Sequence, residues 1–270
     1  MPVPSEEAML FKYPTDTCYR FALALRKFVD MQAEPFVPTE GLDTCFIFPA
    51  AQWYLSTTKN GEISIAAKAG HNAEAHNHND VGSFQIFKNG EQILADVGAG
   101  AYDKAYFGAN GYSIFCKGSQ GHNVPIVNGE VQKTGRRFAA ENAVLEKDGI
   151  SYDFEKAYDT PMLENLHREI RFDDANGVTR LCDTFIFTET PNSVVERFVT
   201  EFEPKVEDGA VQIDGNGQKM ALYYDKDAWN VEILVERKAR GATQKDHVFY
   251  CIDFSPKVLE TKLSFKLEVK

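Results

Sequence analysis

Phe84-Gln85-Ile86-Phe87-Lys88-Asn89-Gly90-Glu91-Gln92-Ile93-Leu94-Ala95-Asp96 holds two apolar runs on either side of an Asn-Gly pair. Asn-Gly between such runs is the strongest short-range hairpin signal, because both residues tolerate the positive φ that a two-residue β-turn needs. The hairpin folds Asp96 back toward the segment that precedes it. That segment, His76-Asn77-His78-Asn79-Asp80, is the densest group of metal ligands and proton carriers in the chain. Side chains two apart on an extended strand share a face, so His76 and His78 are expected to point to one site. Downstream, in Ser119-Gln120-Gly121-His122, the histidine ends a glycine-rich loop just before a new strand. Imidazole, carboxylate and imidazole can thus converge on one divalent cation.

The rest of the chain after Thr44 has the same texture. Cys45–Phe48, Gln52–Ser56 and Ile63–Ala67 read as strands, followed after His122 by 124–127, 143–146, 151–154, 167–172, 179–187, 193–200, 210–213, 220–224, 230–236 and 248–254. Turn signals punctuate them at Asn60-Gly61, Asn128-Gly129, Asp148-Gly149, Asn176-Gly177, Asp208-Gly209 and Asp214-Gly215. This is the grammar of an all-β, antiparallel sandwich or barrel. One helix is expected, over Asp16–Gln32, with Asp16 or Thr17 as its cap and Pro35–Pro38 closing it. No internal repeat is visible. The domain reading is a helical remnant or linker over 1–43 and a β-domain over 44–270.

The 270 residues suffice for one large β-domain with an appendage. A formal net charge of −11 argues against nucleic acid and anionic membrane surfaces as partners. Five scattered cysteines without a CxxC pair suggest neither a disulfide framework nor a thiolate zinc site, and fit a reducing compartment. No apolar run approaches the ~20 residues of a membrane span. Met1-Pro2-Val3-Pro4-Ser5-Glu6-Glu7 lacks the basic and apolar regions of a signal peptide, so a native start at Met1 would place the protein in the cytoplasm.

Read alone, His76 and His78 are two polar residues on a strand or loop. Asp96 and His122 tilt the reading toward a metal, since two histidines, one carboxylate and an open position suit zinc, with iron and manganese as alternatives. Asp80 is the competing carboxylate; it can instead orient an imidazole or serve the turn. The segment from Asp96 to Tyr112 carries Tyr102, Tyr106 and Tyr112 in a loop. Each can be packing, but a phenol beside a cation or imidazolium can have its pKa lowered enough to exchange protons. Arg136, Arg137, Lys104 and Lys117 can add local positive charge or lie on the surface. His167 and His247 read as structural.

Taken together, Gly70-His71-Asn72-Ala73-Glu74-Ala75-His76-Asn77-His78-Asn79-Asp80-Val81-Gly82-Ser83-Phe84, Leu94-Ala95-Asp96-Val97-Gly98, Gly121-His122-Asn123 and Val127-Asn128-Gly129 resemble the heparinase II/III-like family of polysaccharide lyases, in its C-terminal β-sandwich region. The resemblance runs from about Thr44 to the end. It implies a large two-layer, supersandwich-like antiparallel fold, an α/α toroid before it, and an acidic polysaccharide bound between the two. By the same resemblance His78, Asp96 and His122 match the zinc ligands, His76 the histidine that approaches substrate, and Tyr106 the sandwich-side tyrosine, with Tyr102 and Tyr112 as alternates. The toroid, which would supply a second tyrosine and a group near the uronate carboxylate, has no counterpart in this sequence. The implied reaction is β-elimination at a 4-linked uronic acid, with this chain alone expected to bind metal and turn over little or nothing. Two other classes fit the same residues: a catalytically silent carbohydrate-binding module, and a barrel-type metal-dependent hydrolase or oxygenase.

Overall fold

Alternation of buried and more exposed side chains governs Ile63–Lys68, Leu163–Asp173, Val178–Phe187 and Lys262–Val269 in the computed structural model, which describes residues 44–270 apart from 75, 109, 238 and 241–247. The expected helix over Asp16–Gln32, and with it Cys18 and His247, lies outside the described residues. Regular structure among the described residues is almost entirely antiparallel sheet. Among these residues no helix is long and apolar enough to cross a membrane.

One layer is an eight-stranded sheet in the spatial order Pro204–Glu207, Ala210–Gly215, Gln218–Tyr224, Lys262–Val269, Val178–Phe187, Leu163–Asp173, Gly149–Asp153, Glu141–Glu146. The facing layer is built from two smaller sheets. Cys45–Phe48, Trp53–Thr57, Ile63–Lys68, Phe84–Lys88 and Glu91–Leu94 form the first, while Trp229–Glu236, Phe249–Pro256, Val194–Thr200 and Ile126–Val127 form the second. They join edge to edge where the Ala95 amide donates to the Val199 carbonyl at 2.7 Å. His71–Asn72 pairs separately with Gly135–Ala139.

Aromatic side chains fasten the layers together. Phe265 of the eight-stranded sheet stacks on Phe198 with centroids 5.9 Å apart, and meets Phe254 at 5.2 Å and Trp229 at 4.9 Å, all three from the opposite layer. The core continues through Phe84, Ile86, Tyr152, Phe154, Ile170 and Phe185, each essentially without exposure. Apolar burial of this extent is the main stabilising term of such a sandwich.

The expected hairpin is present. Phe84–Lys88 and Glu91–Leu94 pair antiparallel, and Asn89 and Gly90 take φ of 50° and 86°, the left-handed values a two-residue turn demands at both positions. Cys45–Phe48 falls on its expected bounds. Four strands have no expected counterpart: His71–Asn72, Gly135–Ala139, Pro204–Glu207 and Lys262–Val269. Cys116, Cys182 and Cys251 are free thiols.

Candidate metal centre and its tyrosine loop

Asp96 leaves the hairpin two residues beyond its second strand, and its Oδ1 accepts the Gly98 amide at 2.7 Å, which turns the chain sharply into the tyrosine loop. His122 caps the short 3-10 turn Ser119–Gly121 and is completely buried. His78 enters from the loop before Phe84. The ligand-capable atoms of His78, Asp96 and His122 all lie within 4.8 Å of one another.

His76 does not share this arrangement. Residues 76–80 form a loop rather than the expected strand, and His76 is exposed with φ of 60°, so the period-two argument that aligned it with His78 does not apply. The reason is local: Asn77 Nδ2 donates to the His78 carbonyl at 2.8 Å, and the Asn79 amide donates to the Lys117 carbonyl at 2.9 Å, so backbone groups that a strand would pair with a neighbour are engaged elsewhere. Asp80 also stands apart, paired with Lys68 at 2.7 Å.

The protons fix the roles of the cluster. His122 Nε2 lies 3.2 Å from the Cys116 carbonyl, which can only accept, so Nε2 carries hydrogen and Nδ1 of the neutral ring presents a lone pair. That Nδ1 is buried without a hydrogen-bond partner, 3.4 Å from Asp96 Oδ2. A lone pair facing a carboxylate is repulsive unless a cation or a proton lies between them. Burial alone would depress the His122 pKa, but Asp96 outweighs it and raises it. Conversely burial opposes ionisation of Asp96, yet His122 and the Gly98 amide hold its carboxyl well below the usual range. His78 is kept neutral by burial and by the neighbouring His122. An orphaned imidazole nitrogen, an ionised carboxylate and a neutral imidazole are a donor set that fits a divalent metal such as zinc.

Of the three loop tyrosines, Tyr106 reaches the cluster. Its hydroxyl is 3.0 Å from His78 Nε2, and its ring is 5% exposed, whereas Tyr102, 5.0 Å from it ring to ring, is 65% exposed. Lys117 donates to the Tyr106 carbonyl at 2.8 Å and lies over the rings of Tyr106 and Tyr112, at 4.6 and 4.4 Å. The phenol is not acidified in the metal-free chain. Burial, with Cys116 and Tyr102 nearby, pushes its pKa up to about 12.

Sequence reasoning missed the amides that hold these loops. Asn123 Nδ2 donates to the Phe84 and Ala95 carbonyls at 2.6 and 3.2 Å while its Oδ1 accepts the Val199 amide at 2.7 Å. Gln132 donates to the Val81 carbonyl at 2.7 Å and accepts from the Val81 amide and Asn72 Nδ2, both at 3.0 Å. Buried amides fully satisfied by backbone groups rigidify a loop, and their identity leaves no periodic trace in the sequence.

The heparinase II/III-like C-terminal family matches residues 46–246, most of the chain. The protein belongs to that family. Solved structures agree with the assignment at the level of fold: heparan sulfate lyase HepC from Pedobacter heparinus superposes with a TM-score of 0.67 at 14% identity, covering 93% of this chain and 41% of its own. The heparinase III BT4657 gene product gives 0.65 at 14% identity, covering 93% and 40%, and a further heparinase III gives 0.62 over 87% and 37%. This heparinase II/III-like chain thus spans about two fifths of the length of the solved structures it matches. No curated protein matches it.

Proposed function

We propose that this heparinase II/III-like domain forms one wall of a lyase active site that cleaves uronic-acid-containing polysaccharides by β-elimination, with zinc held by His78, Asp96 and His122. The observation that carries the reading is the contact between Tyr106 Oη and His78 Nε2 at the rim of the ligand cluster. It sets a phenol beside groups that control its proton. Bound there, zinc supplies positive charge and ties three loops together.

The elimination removes the C5 proton of the uronate and breaks the C4–O bond; the C–H electron pair becomes the C4=C5 double bond and the departing oxygen takes up a proton. Tyr106 and His76 are the candidates for the two proton transfers. The Tyr106 phenol, high in pKa, holds its proton at neutral pH and is suited to deliver it to the leaving oxygen. As a base it must first give its proton to solvent, because a His78 that holds zinc through one nitrogen would carry hydrogen on the other. His76, exposed on its loop, can approach a sugar that enters from solvent. Developing charge on the uronate carboxylate needs an opposing positive group, and each 1.36 kcal/mol of selective stabilisation gives about tenfold in rate. The N-terminal domain implied by the longer relatives is the proposed source of that group. The polymer, acidic like the chain, would be gripped chiefly by that domain.

The test is the ultraviolet absorbance of the unsaturated uronate product, read with a chain extended to the length of the solved relatives. Tyr106→Phe should cut kcat by about 10²- to 10⁴-fold with KM little changed. An active Tyr106→Phe enzyme beside an inactive Tyr102→Phe or Tyr112→Phe enzyme would move the role to another tyrosine. A zinc content near zero, not restored by dialysis against zinc, would reject the metal.

A further inference from the structure

Each loop that brings a residue to the cluster offers a backbone carbonyl to a guanidinium. Arg240 Nε donates to the Val97 carbonyl, next to Asp96, at 2.7 Å, with Glu201 3.6 Å from its other end. Arg197 grips Asp253 with two nitrogens, at 2.7 and 2.6 Å, and donates Nη1 to the Gln120 carbonyl, two residues before His122, at 3.1 Å. Arg168 goes further and joins two loops. It lies at the middle of Leu163–Asp173, without solvent exposure, and its Nη1 donates to the Gly82 carbonyl at 2.8 Å and to the Asn123 carbonyl at 2.7 Å. Gly82 follows His78 by four residues and Asn123 follows His122 by one.

We infer that Arg168 is a positioning residue for the His78–Asp96–His122 cluster, setting the separation of the His78 and His122 loops by holding one carbonyl of each on a single nitrogen. The inference rests on reading that cluster as a metal site. An Nη nitrogen carries two hydrogens in a fixed plane, so the two carbonyls are held at a set angle as well as a set distance. The far side of the guanidinium is locked by Asp183, which accepts from Nε at 2.9 and 3.1 Å and from Nη2. Glu196 is 3.5 Å away, and burial, with Asp183 beside it, raises its pKa. The Gly82 carbonyl takes a second donor, the Tyr152 hydroxyl at 2.8 Å, and a Cβ on Gly82 would press to 3.1 Å from the Phe154 ring, at a φ of +86° that side chains disfavour. Position and donors at this carbonyl are thus fixed from three sides. A buried ion pair is a poor source of net stability, and its known use is to specify an arrangement.

Lysine keeps the charge but not the fork, so Arg168→Lys can satisfy Asp183 or the two carbonyls, not both. In the whole 270-residue chain this variant should weaken zinc, measured by competition with a chelating dye, at least tenfold. The ring signals of His78 and His122 should also move in the imidazole nitrogen spectrum of the metal-free protein. Arg171→Lys, on the same strand but at the surface, should leave both readouts as in the parent. Should the lysine variant fail to fold, Arg168→Met combined with Asp183→Leu replaces the pair by apolar side chains and should fold while losing the same zinc affinity. Equal loss of melting temperature with and without zinc, an unchanged dissociation constant and unmoved ring signals would make Arg168 a plain structural residue and overturn the inference. A parent chain that binds no zinc would refute the metal reading instead, and the metal-free ring spectra would still decide whether Arg168 sets the two loops.

Discussion

The eight-stranded sheet and the loops between residues 70 and 134 are held together by different physics. In the sheet, order comes from alternation: Lys262–Val269 buries Leu263, Phe265, Leu267 and Val269 and exposes Lys262, Ser264 and Lys266, and its ladder hydrogen bonds follow automatically. In the loops almost no ladder exists. Order there comes from Asn123, Gln132, Asn79 and Asn72, whose side chains satisfy backbone groups one by one. A sheet tolerates changes that keep the pattern, because its hydrogen bonds do not depend on which apolar residue is used. The loops have no such slack, since each buried amide answers particular backbone groups. Stability and site geometry therefore reside in largely separate parts of the domain, with Arg168 of the sheet reaching across to the loops.

The largest expected effect breaks the sheet and spares the site. Phe265→Ala removes a fully buried ring from the centre of three aromatic contacts, and such truncations cost about 3–5 kcal/mol. The unfolding midpoint in urea should fall accordingly while the folded fraction binds zinc with the parent's affinity. A large change in zinc affinity would mean that the two parts are not separable. Asn123→Ala should fall between. It strands the Phe84, Ala95 and Val199 backbone groups, for about 2–4 kcal/mol in total, and it should weaken zinc as well, because those groups frame both the hairpin and the His122 loop.

His78→Ala belongs wholly to the site. In metal-free buffer its melting curve should stay near the parent's. With zinc at a hundredfold excess over its dissociation constant the parent gains about 2.7 kcal/mol, and the variant should lose most of that gain. A variant that melts with the parent in zinc-replete buffer would remove His78 from the ligand set.

How far the sequence could be read follows the same division. The hairpin through Asn89-Gly90 and the strand Cys45–Phe48 were legible because turn chemistry and period two are written in residue types. Lys262–Val269 carries the pattern in full and was readable in principle. Gly135–Ala139 was not: Gly-Arg-Arg-Phe-Ala buries Phe138 alone, and its partner is a two-residue strand. In the site, His78, Asp96 and His122 stand out by chemistry and by resemblance to a family. The loop geometry of His76 did not, because the side-chain and backbone hydrogen bonds that keep residues 76–80 out of a strand leave no signature in spacing. Arg168 was equally invisible, as its acceptors are carbonyls 86 and 45 residues away and any residue type can supply a carbonyl.

The smallest expected effect concerns one proton shared between site and fold. In the metal-free chain Asp96 raises the pKa of His122, so the folded state holds that proton more tightly than the unfolded chain does. A group with a raised folded pKa stabilises most below its unfolded value, about 6.5 for histidine, and that contribution fades as pH rises through the folded value. The depressed Asp96 works in the opposite sense: its contribution is complete above the unfolded value of about 3.9 and fades only as pH falls below it, so it is constant near neutrality. The His122 contribution to the metal-free melting temperature should therefore be smaller at pH 8 than at pH 6, opposed near pH 6 by His78, whose depressed pKa favours the folded state as pH rises. Zinc reverses the sign, because it needs the unprotonated imidazole and competes better as protons become scarce. The gap between zinc-loaded and metal-free melting temperatures should accordingly widen from pH 6 to pH 8. Asp96→Asn is the control that sharpens the comparison. Without the carboxylate, burial depresses the His122 pKa, and the part of the metal-free pH slope due to His122 should vanish or change sign. A metal-free slope that survives Asp96→Asn undiminished would assign it to groups in the sheet and would sink the claim that this proton belongs to the site.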